Sequence, residues 1–416
     1  MNALDATTFP GLQGLIVLDV SRFVEGAYCA RLLADAGASV IKIEPPEGDP
    51  TRQLGPFLGG TSDQNNSGLF HYLNTNKRAI TLNLQTDEGR QLFGSLLQKA
   101  DILVSDYAPS DLERFGLTYE KAKQHNQSLI ACAVTPFGLT GPYRDDKADD
   151  IVILSLGGMT AATPGFPDFV TSREQERPLR AQTYAAGFIS GAAAAGAVLV
   201  ALFARLFDGQ GRQVDVSQQE AVASTMIRDV ASYSYAGIVS GRRTEEEQSG
   251  TAYAPNVYVP CKDGMVVIVT ASEPAWKTFV ELMGSPEWCM RPEYRDTAAR
   301  AKNINSLLGH LVEWTSRKTG AEITEMTQAN GLPCAHVLRI SELVNSAHGR
   351  ERNVFVPLAL GDRACRMPGP PFRISGLFGQ EQRAAPRRGE ANVAIYTGEL
   401  GLASVDLARL NKTGVI

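Results

Sequence analysis

Short apolar runs alternate with amphipathic stretches through the first half of the chain. GLIVLDV (14–20) is aliphatic and β-branched without polar alternation, the pattern of a strand buried on both faces of a parallel sheet. Residues 25–36 follow with Ala27, Ala30, Leu33 and Ala34 on one side, which predicts a helix ended at Gly37. SVIKIE (39–44), AITLNL (79–84), DILVSD (101–106) and SLIACAV (128–134) read as further strands. Residues 87–100 read as a helix with acids in its first turn, where the helix dipole favours them. The alternation predicts a doubly wound α/β fold.

Farther along, the run from Thr183 to Ala204 carries no charge and is dominated by Ala and Gly near its start. RQVDVS (212–217) is the next strand, followed by one helix over 218–236, and SGRRTEEEQSG (240–250) is a polar linker. MVVIVT (265–270) is a strand, and helices are expected at 276–283, 303–315 and 321–330, a second and smaller α/β domain. MPGPPF (367–372) opens a tail whose end, SVDLARLNKTGVI, is an amphipathic helix.

Composition narrows the function classes. The 416 residues are 44% hydrophobic and 20% charged, as expected of a two-domain globular protein. A net charge of −5 argues against a general nucleic-acid or anionic-membrane surface and leaves room for a local basic pocket. The six cysteines are scattered without a CxxC pair, and the histidines show no HExxH spacing, so no metal site or disulfide framework is expected and a cytoplasmic location is. No basic segment followed by a long apolar run opens the sequence, so no signal peptide is expected. The uncharged run is long enough to cross a bilayer, but Ala and Gly gain little in lipid. A buried core helix is expected instead, and no membrane partner.

Glu44 at the end of the second strand invites a dinucleotide reading. The first turn, DVSRFVEGAYC, has only Gly26, with Phe23 and Glu25 where the phosphates would lie. The backbone cannot then approach a pyrophosphate, and no permanently bound nicotinamide or flavin is expected.

Four stretches carry a resemblance: LDVSRFVEGAYCARLLADAGASVIKIEPPEGDPTR (18–52), NTNKRAITLNLQTDEGR (74–90), GQGRQVDVSQQEA (209–221) and RMPGPPFRISG (366–376). In this order, over nearly the whole chain, they resemble the class III CoA-transferases, the formyl-CoA transferase and carnitine CoA-transferase family. The resemblance implies a Rossmann-like large domain built from both chain ends, a small domain in the middle, and two subunits interlocked like rings. The expected divisions are 1–225 and 341–416 for the large domain and 226–340 for the small domain with its linkers. Coenzyme A and acyl-CoA are then substrates, with a carboxylic acid as the second reactant.

The same resemblance places Lys77 and Arg78, in the NKR motif, at the CoA site, with a solvated strand end as the alternative. Arg114 in DLERFG matches an arginine used near CoA. Arg22 and Phe23 fall in the loop that contacts pantetheine and nucleotide, and Phe23 is as readily a core residue. Asp106 and Tyr107, in VSDYAPS, are placed at the CoA site too; Asp106 stands where Asn is usual, and a carboxylate there repels phosphate if close to it. Ala391 replaces the common His of a GEH motif, and a glycine-rich flap is reduced to Gly250.

In this family an Asp attacks the thioester to form a mixed anhydride and then a thioester with CoA itself. A Gly follows that Asp four residues on. Counting back from RQVDVS puts Gly191 on that Gly and Gly187 at the Asp. No Asp or Glu occurs from Arg177 to Arg205, so a shift of one or two residues cannot restore the acid, and no catalytic residue is expected in this chain. Asp149 and Asp150 are read as helix-capping acids, and neither Tyr184 nor Ser190 forms an acyl anhydride. Three readings stay open. The chain is the non-catalytic half of a heterodimer whose homologous partner carries the Asp, as in the benzylsuccinate CoA-transferase type. It is an acyl-CoA enzyme with altered, isomerase- or hydratase-like chemistry. Or it is a CoA-binding homo-oligomer without turnover.

Overall fold

Six parallel strands form the central sheet: β1 (Ile16–Asp19), β2 (Ser39–Glu44), β3 (Arg78–Thr81), β4 (Ile102–Ser105), β5 (Ile130–Thr135) and β6 (Arg212–Ser217). The structure is a computed structural model and describes residues 11–61, 63–163, 181, 184–239, 256–270, 272–360, 363–375 and 383–416. Strand order is β3-β2-β1-β4-β5-β6. The direction of winding therefore reverses between β1 and β4. Ligands of such sheets bind outside the carboxyl ends of the two strands at the reversal.

Both faces of the sheet are covered, as the unbroken apolar runs require. On one face Val17, Ile102, Val104 and Ile130 pack on the first helix (Val24–Asp35) through Cys29, Ala30 and Leu33, and on the long helix (Ala185–Asp208) through Ala194 and Val198. On the other, Leu18, Ile41, Ile80 and Leu103 meet Phe93 and Leu96 of the helix Asp87–Leu97, together with Leu410 and Ile416 of the returning tail. The chain divides into two compact units, Met1–Thr160, Arg180–Ile227 and Glu351–Ile416 in one, Ala161–Leu179 and Arg228–Arg350 in the other.

The long helix departs from a plain core helix. One side of its first half is buried, where Ala186, Gly187, Ser190, Gly191, Ala194 and Ala195 lie, and packs so closely on the first helix that a Cβ at Gly191 would lie 2.6 Å from the Glu25 carbonyl oxygen. Gly191→Ala is therefore expected to lower stability by about 1–3 kcal/mol through overpacking, measurable as a lowered midpoint in urea. The second half is different. Leu199, Val200, Phe203, Leu206 and Phe207 repeat on one helical side and are exposed, Phe207 to 77%. Among the described residues this is the one helix long and apolar enough to cross a membrane, and half of its most apolar window is buried in the protein.

The single helix expected over 218–236 is two, Gln218–Ser224 and Ile227–Ala236. Thr225 breaks it: its hydroxyl and its amide both bond back to the Val222 carbonyl, which tightens the last turn. In the second unit, β7 (Asn256–Cys261), β8 (Gly264–Val269) and β9 (Ala335–His336) form an antiparallel sheet. Helices Glu273–Leu282, Ile304–Thr315 and Gly320–Ala329 close a core around Phe279, Leu307 and Ile323. The segment of β7 carried no strand signal because Pro260 interrupts it. A proline is tolerated there because β7 is an edge strand.

Candidate active site

The carboxyl ends of β1 and β4 bring together Arg22, Phe23, Asp106 and Tyr107. Asp106 does not stand as a loose charge. Its carboxylate accepts the Arg22 amide at 2.8 and 3.0 Å and the Phe23 amide at 2.8 Å, so it holds the turn from β1 into the first helix. Burial pushes its carboxyl up to about 6, against those amides and the Lys42 charge. The exposed Arg22 guanidinium lies 5.6 Å over the Tyr107 ring, which meets Phe115 edge-on at 5.3 Å. Arg114 lies 4.4 Å over the Phe115 ring and pairs with Asp111 at 2.9 Å. Arg22, Tyr107 and Arg114 thus share one partly exposed cationic and aromatic edge.

Lys77 and Arg78 sit elsewhere. The Lys77 ammonium is buried and donates to Asp19 at 2.8 Å, to the Ala27 carbonyl at 2.8 Å and to Asn74 at 3.0 Å. An ammonium has three donors, so none is left for a phosphate. This corrects the expectation of a CoA-binding Lys77. Lys42 lies 2.7 Å from Asp49 and 3.9 Å from Asp19, completing a buried network beneath the site. Burial pushes Lys77 down to about 8. Burial opposes ionisation of Asp19 too, but the two lysines outweigh it and hold its pKa below the usual range. Arg78 is half-buried in an ion pair with Glu399 and donates to Ser39 at 3.1 Å. Glu44, at the end of β2, spends both oxygens on Arg52 at 2.7 Å each.

A cavity of about 260 Å³ opens beside Gly187 and is lined by Phe23, Glu25, Asp149, Asp150, Tyr184 and Gln218, among others. Tyr184 starts the long helix in the left-handed region (φ 53°) and meets the Phe23 ring edge-on at 5.1 Å. Asp149 caps its helix by accepting the Val152 amide at 3.3 Å, and Asp150 accepts the Ala186 amide at 2.8 Å, tying that helix to the start of the long one. Ser190 donates to the Ala186 carbonyl at 2.7 Å. Ala391 is buried, and its amide donates to the Ala79 carbonyl at 2.8 Å. Gly250 lies outside the described residues.

A buried acid from a distant segment of the chain reaches the space beside Gly187. Glu25, in the first turn of the first helix, is 7% exposed. Its Oε1 accepts Gln218 Nε2 at 3.0 Å, across 193 residues of sequence. Its Oε2 lies 3.5 Å from where a Cβ on Gly187 would stand. Burial pushes the Glu25 carboxyl up to about 8. Asp106 and Asp150 add to the rise, and its own amide and Gln218 oppose it. The folded protein thus keeps a proton there that the unfolded chain loses at lower pH. That contribution to stability is fully present below the ordinary carboxylate range and is lost as pH rises through about 8. Melting temperatures measured across this interval are expected to fall with pH more steeply in the native chain than in Glu25→Gln.

In the second unit Cys261, Asp263 and His336 place ligand-type atoms within 4.8 Å of one another, a trio the scattered sequence positions hid. Their contacts have an ordinary explanation: Asp263 accepts the Cys261 thiol at 3.3 Å and the Gly320 amide at 2.8 Å.

Residues 12–392 match the profile of CoA-transferase family III. A formyl-CoA:oxalate CoA-transferase of Streptomyces coelicolor is 30% identical, covering 98% of this chain and 100% of its own. A succinyl-CoA–D-citramalate CoA-transferase of Chloroflexus aurantiacus is 30% identical, covering 97% and 98%. Among solved structures, a CAIB/BAIF family protein from Brucella suis superposes with a TM-score of 0.81 at 26% identity, covering 93% of this chain and 98% of its own.

Proposed function

The chain belongs to CoA-transferase family III, and on that premise we propose that it exchanges coenzyme A between a thioester and a free carboxylic acid at the cavity beside Gly187. The observation that carries this reading is a cavity at the mouth of the parallel sheet with a buried carboxyl, Glu25, on its wall. We place the nucleotide end of CoA along Arg22, Phe23, Tyr107 and Arg114, where exposed guanidinium groups suit phosphates and rings suit adenine. The cavity, about 260 Å³, has room for a short acid, and Glu25, Asp149 and Asp150 line it beside Phe23 and Tyr184. The unpaired cysteines fit a reducing, cytoplasmic setting.

The exposed apolar side of the long helix is where we place a second chain, in an interlocked or other paired arrangement. Phe203→Glu sets a charge in that stripe and is expected to convert the oligomer to monomer in sedimentation velocity.

A second reading rests on Gly187 itself. If this chain is the silent half of a heterodimer, its partner subunit supplies the Asp and the same stripe binds that homologue. The two readings separate in one assay. Purified chain is mixed with formyl-CoA, acetyl-CoA or succinyl-CoA and with oxalate, mesaconate or D-citramalate, the reactants named for its relatives. New thioesters by liquid chromatography support transfer. Release of free CoA alone from every pair contradicts it. Transfer that appears only with an added homologous subunit supports the second reading.

A further inference from the structure

Gly187 and Glu25 are neighbours in space, and their relation is specific. An aspartate at position 187 would set its Cβ 3.0 Å from Val24 Cβ, tighter than ordinary contact, and 3.5 Å from Glu25 Oε2. Two buried carboxyl groups would then crowd one another, and both cannot ionise at such range. A glycine at 187 removes that conflict and leaves the space to Glu25. We infer that Glu25 supplies the carboxylate that position 187 lacks, and that its side chain is the acyl acceptor of the transfer. This rests on the reading of the cavity as a CoA-transfer site.

The surroundings orient this carboxylate. Gln218 holds Oε1 at 3.0 Å and leaves Oε2 on the Gly187 side, in the cavity wall. Gln218 is itself buried at the start of the helix that follows β6, so its amide is a fixed support. Glu25 also sits in the first turn of its helix, where backbone N–H groups favour the ionised form. Near it are Asp106 from the end of β4 and Asp150 across the cavity, with Asp149 and Tyr184 also in the cavity wall.

The chemistry balances without an oxidant or an added cofactor. The Glu25 carboxylate attacks the thioester carbonyl; a C–O bond forms, the C–S bond breaks, and CoA leaves as thiolate. The thiolate then attacks the glutamyl carbonyl of the mixed anhydride, giving a glutamyl-CoA thioester and releasing the donor acid. The acceptor carboxylate attacks this thioester and expels CoA thiolate again. The thiolate attacks the acceptor's carbonyl, which forms the new acyl-CoA and returns Glu25 as carboxylate. No net proton is consumed.

The test traps the acyl-enzyme. The whole purified chain is incubated separately with formyl-CoA, acetyl-CoA and succinyl-CoA, treated with hydroxylamine, digested with trypsin and examined by mass spectrometry. Cleavage after Arg22 and Arg31 yields FVEGAYCAR, in which Glu25 is the only side-chain carboxyl. The expected result is a hydroxamate on this peptide with at least one of the three thioesters. It should be absent from Glu25→Gln, whose fold is checked by circular dichroism. Because the labelled species is the native chain, a poorly folded variant does not blunt the result. A hydroxamate at Asp106, Asp149 or Asp150 instead, or none while the chain transfers CoA, overturns the role of Glu25 and leaves the transferase reading standing. Neither label nor transfer overturns both.

Discussion

Glutamine at position 25 is expected to remove CoA transfer by the purified chain while leaving its fold intact. Burial already keeps much of the native Glu25 protonated at neutral pH, so a neutral amide of the same shape replaces a neutral acid with little change in packing. The amide cannot form the anhydride. Loss of a covalent nucleophile costs on the order of a thousandfold or more in kcat. A residue that only shaped the cavity would cost far less. Glu25→Asp separates the two roles further: it retains a carboxylate but withdraws it by one methylene, and a misplacement of that size costs about a hundredfold. Transfer should also rise with pH through about 8, since the attacking form is the carboxylate. Stopped-time chromatography of the thioesters measures all three effects, and near-native turnover in Glu25→Gln would exclude the residue from the chemistry.

Lys77→Met is expected to act on stability. Asp19 and Lys77 both have side chains with no exposure, and their contact is 2.8 Å. Removing the lysine leaves Asp19 buried with only the more distant Lys42 charge, 3.9 Å away. Breaking a buried pair from one side costs about 3–5 kcal/mol, because the remaining charge is neither solvated nor matched. Urea unfolding should show that loss. Arg22→Ala should do the reverse, raising KM for the CoA thioester with an unchanged unfolding midpoint. If Lys77 bound phosphate, its variant would raise KM first and lose little stability.

Much of this architecture could be read from the chain. SVIKIE and RQVDVS are strands over the same residues as expected, the first buried along nearly its whole length and the second an edge strand whose burial alternates. The family motifs had a legible order but not a legible role. Three-dimensional placement shows Lys42 paired with Asp49 and Glu44 with Arg52, an internal scaffold under the loop from β1. Position in a motif says which residues matter and not whether they face a ligand.

The site failed to appear for a different reason. The segment around Gly187 holds no acid, whereas packing of the long helix on the first brings Glu25 there. One signal was present: an acid between Phe23 and Gly26, in an apolar turn where a buried charge is costly. Such a residue is retained only where something holds or uses it. Its holder, Gln218, is 193 residues away, and no local pattern links the two. The exposed stripe on the long helix was hidden likewise, since Leu199 to Phe207 has the same composition whether a sheet or a second chain covers it.

The measurement to make first is CoA exchange by chain that native mass spectrometry shows to contain only copies of itself. The expected result is turnover by that homogeneous species with at least one donor and acceptor pair, lost in Glu25→Gln. Turnover that is absent from the homogeneous species and appears only when a homologous subunit bearing an aspartate is added would contradict the assignment of the chemistry to this chain.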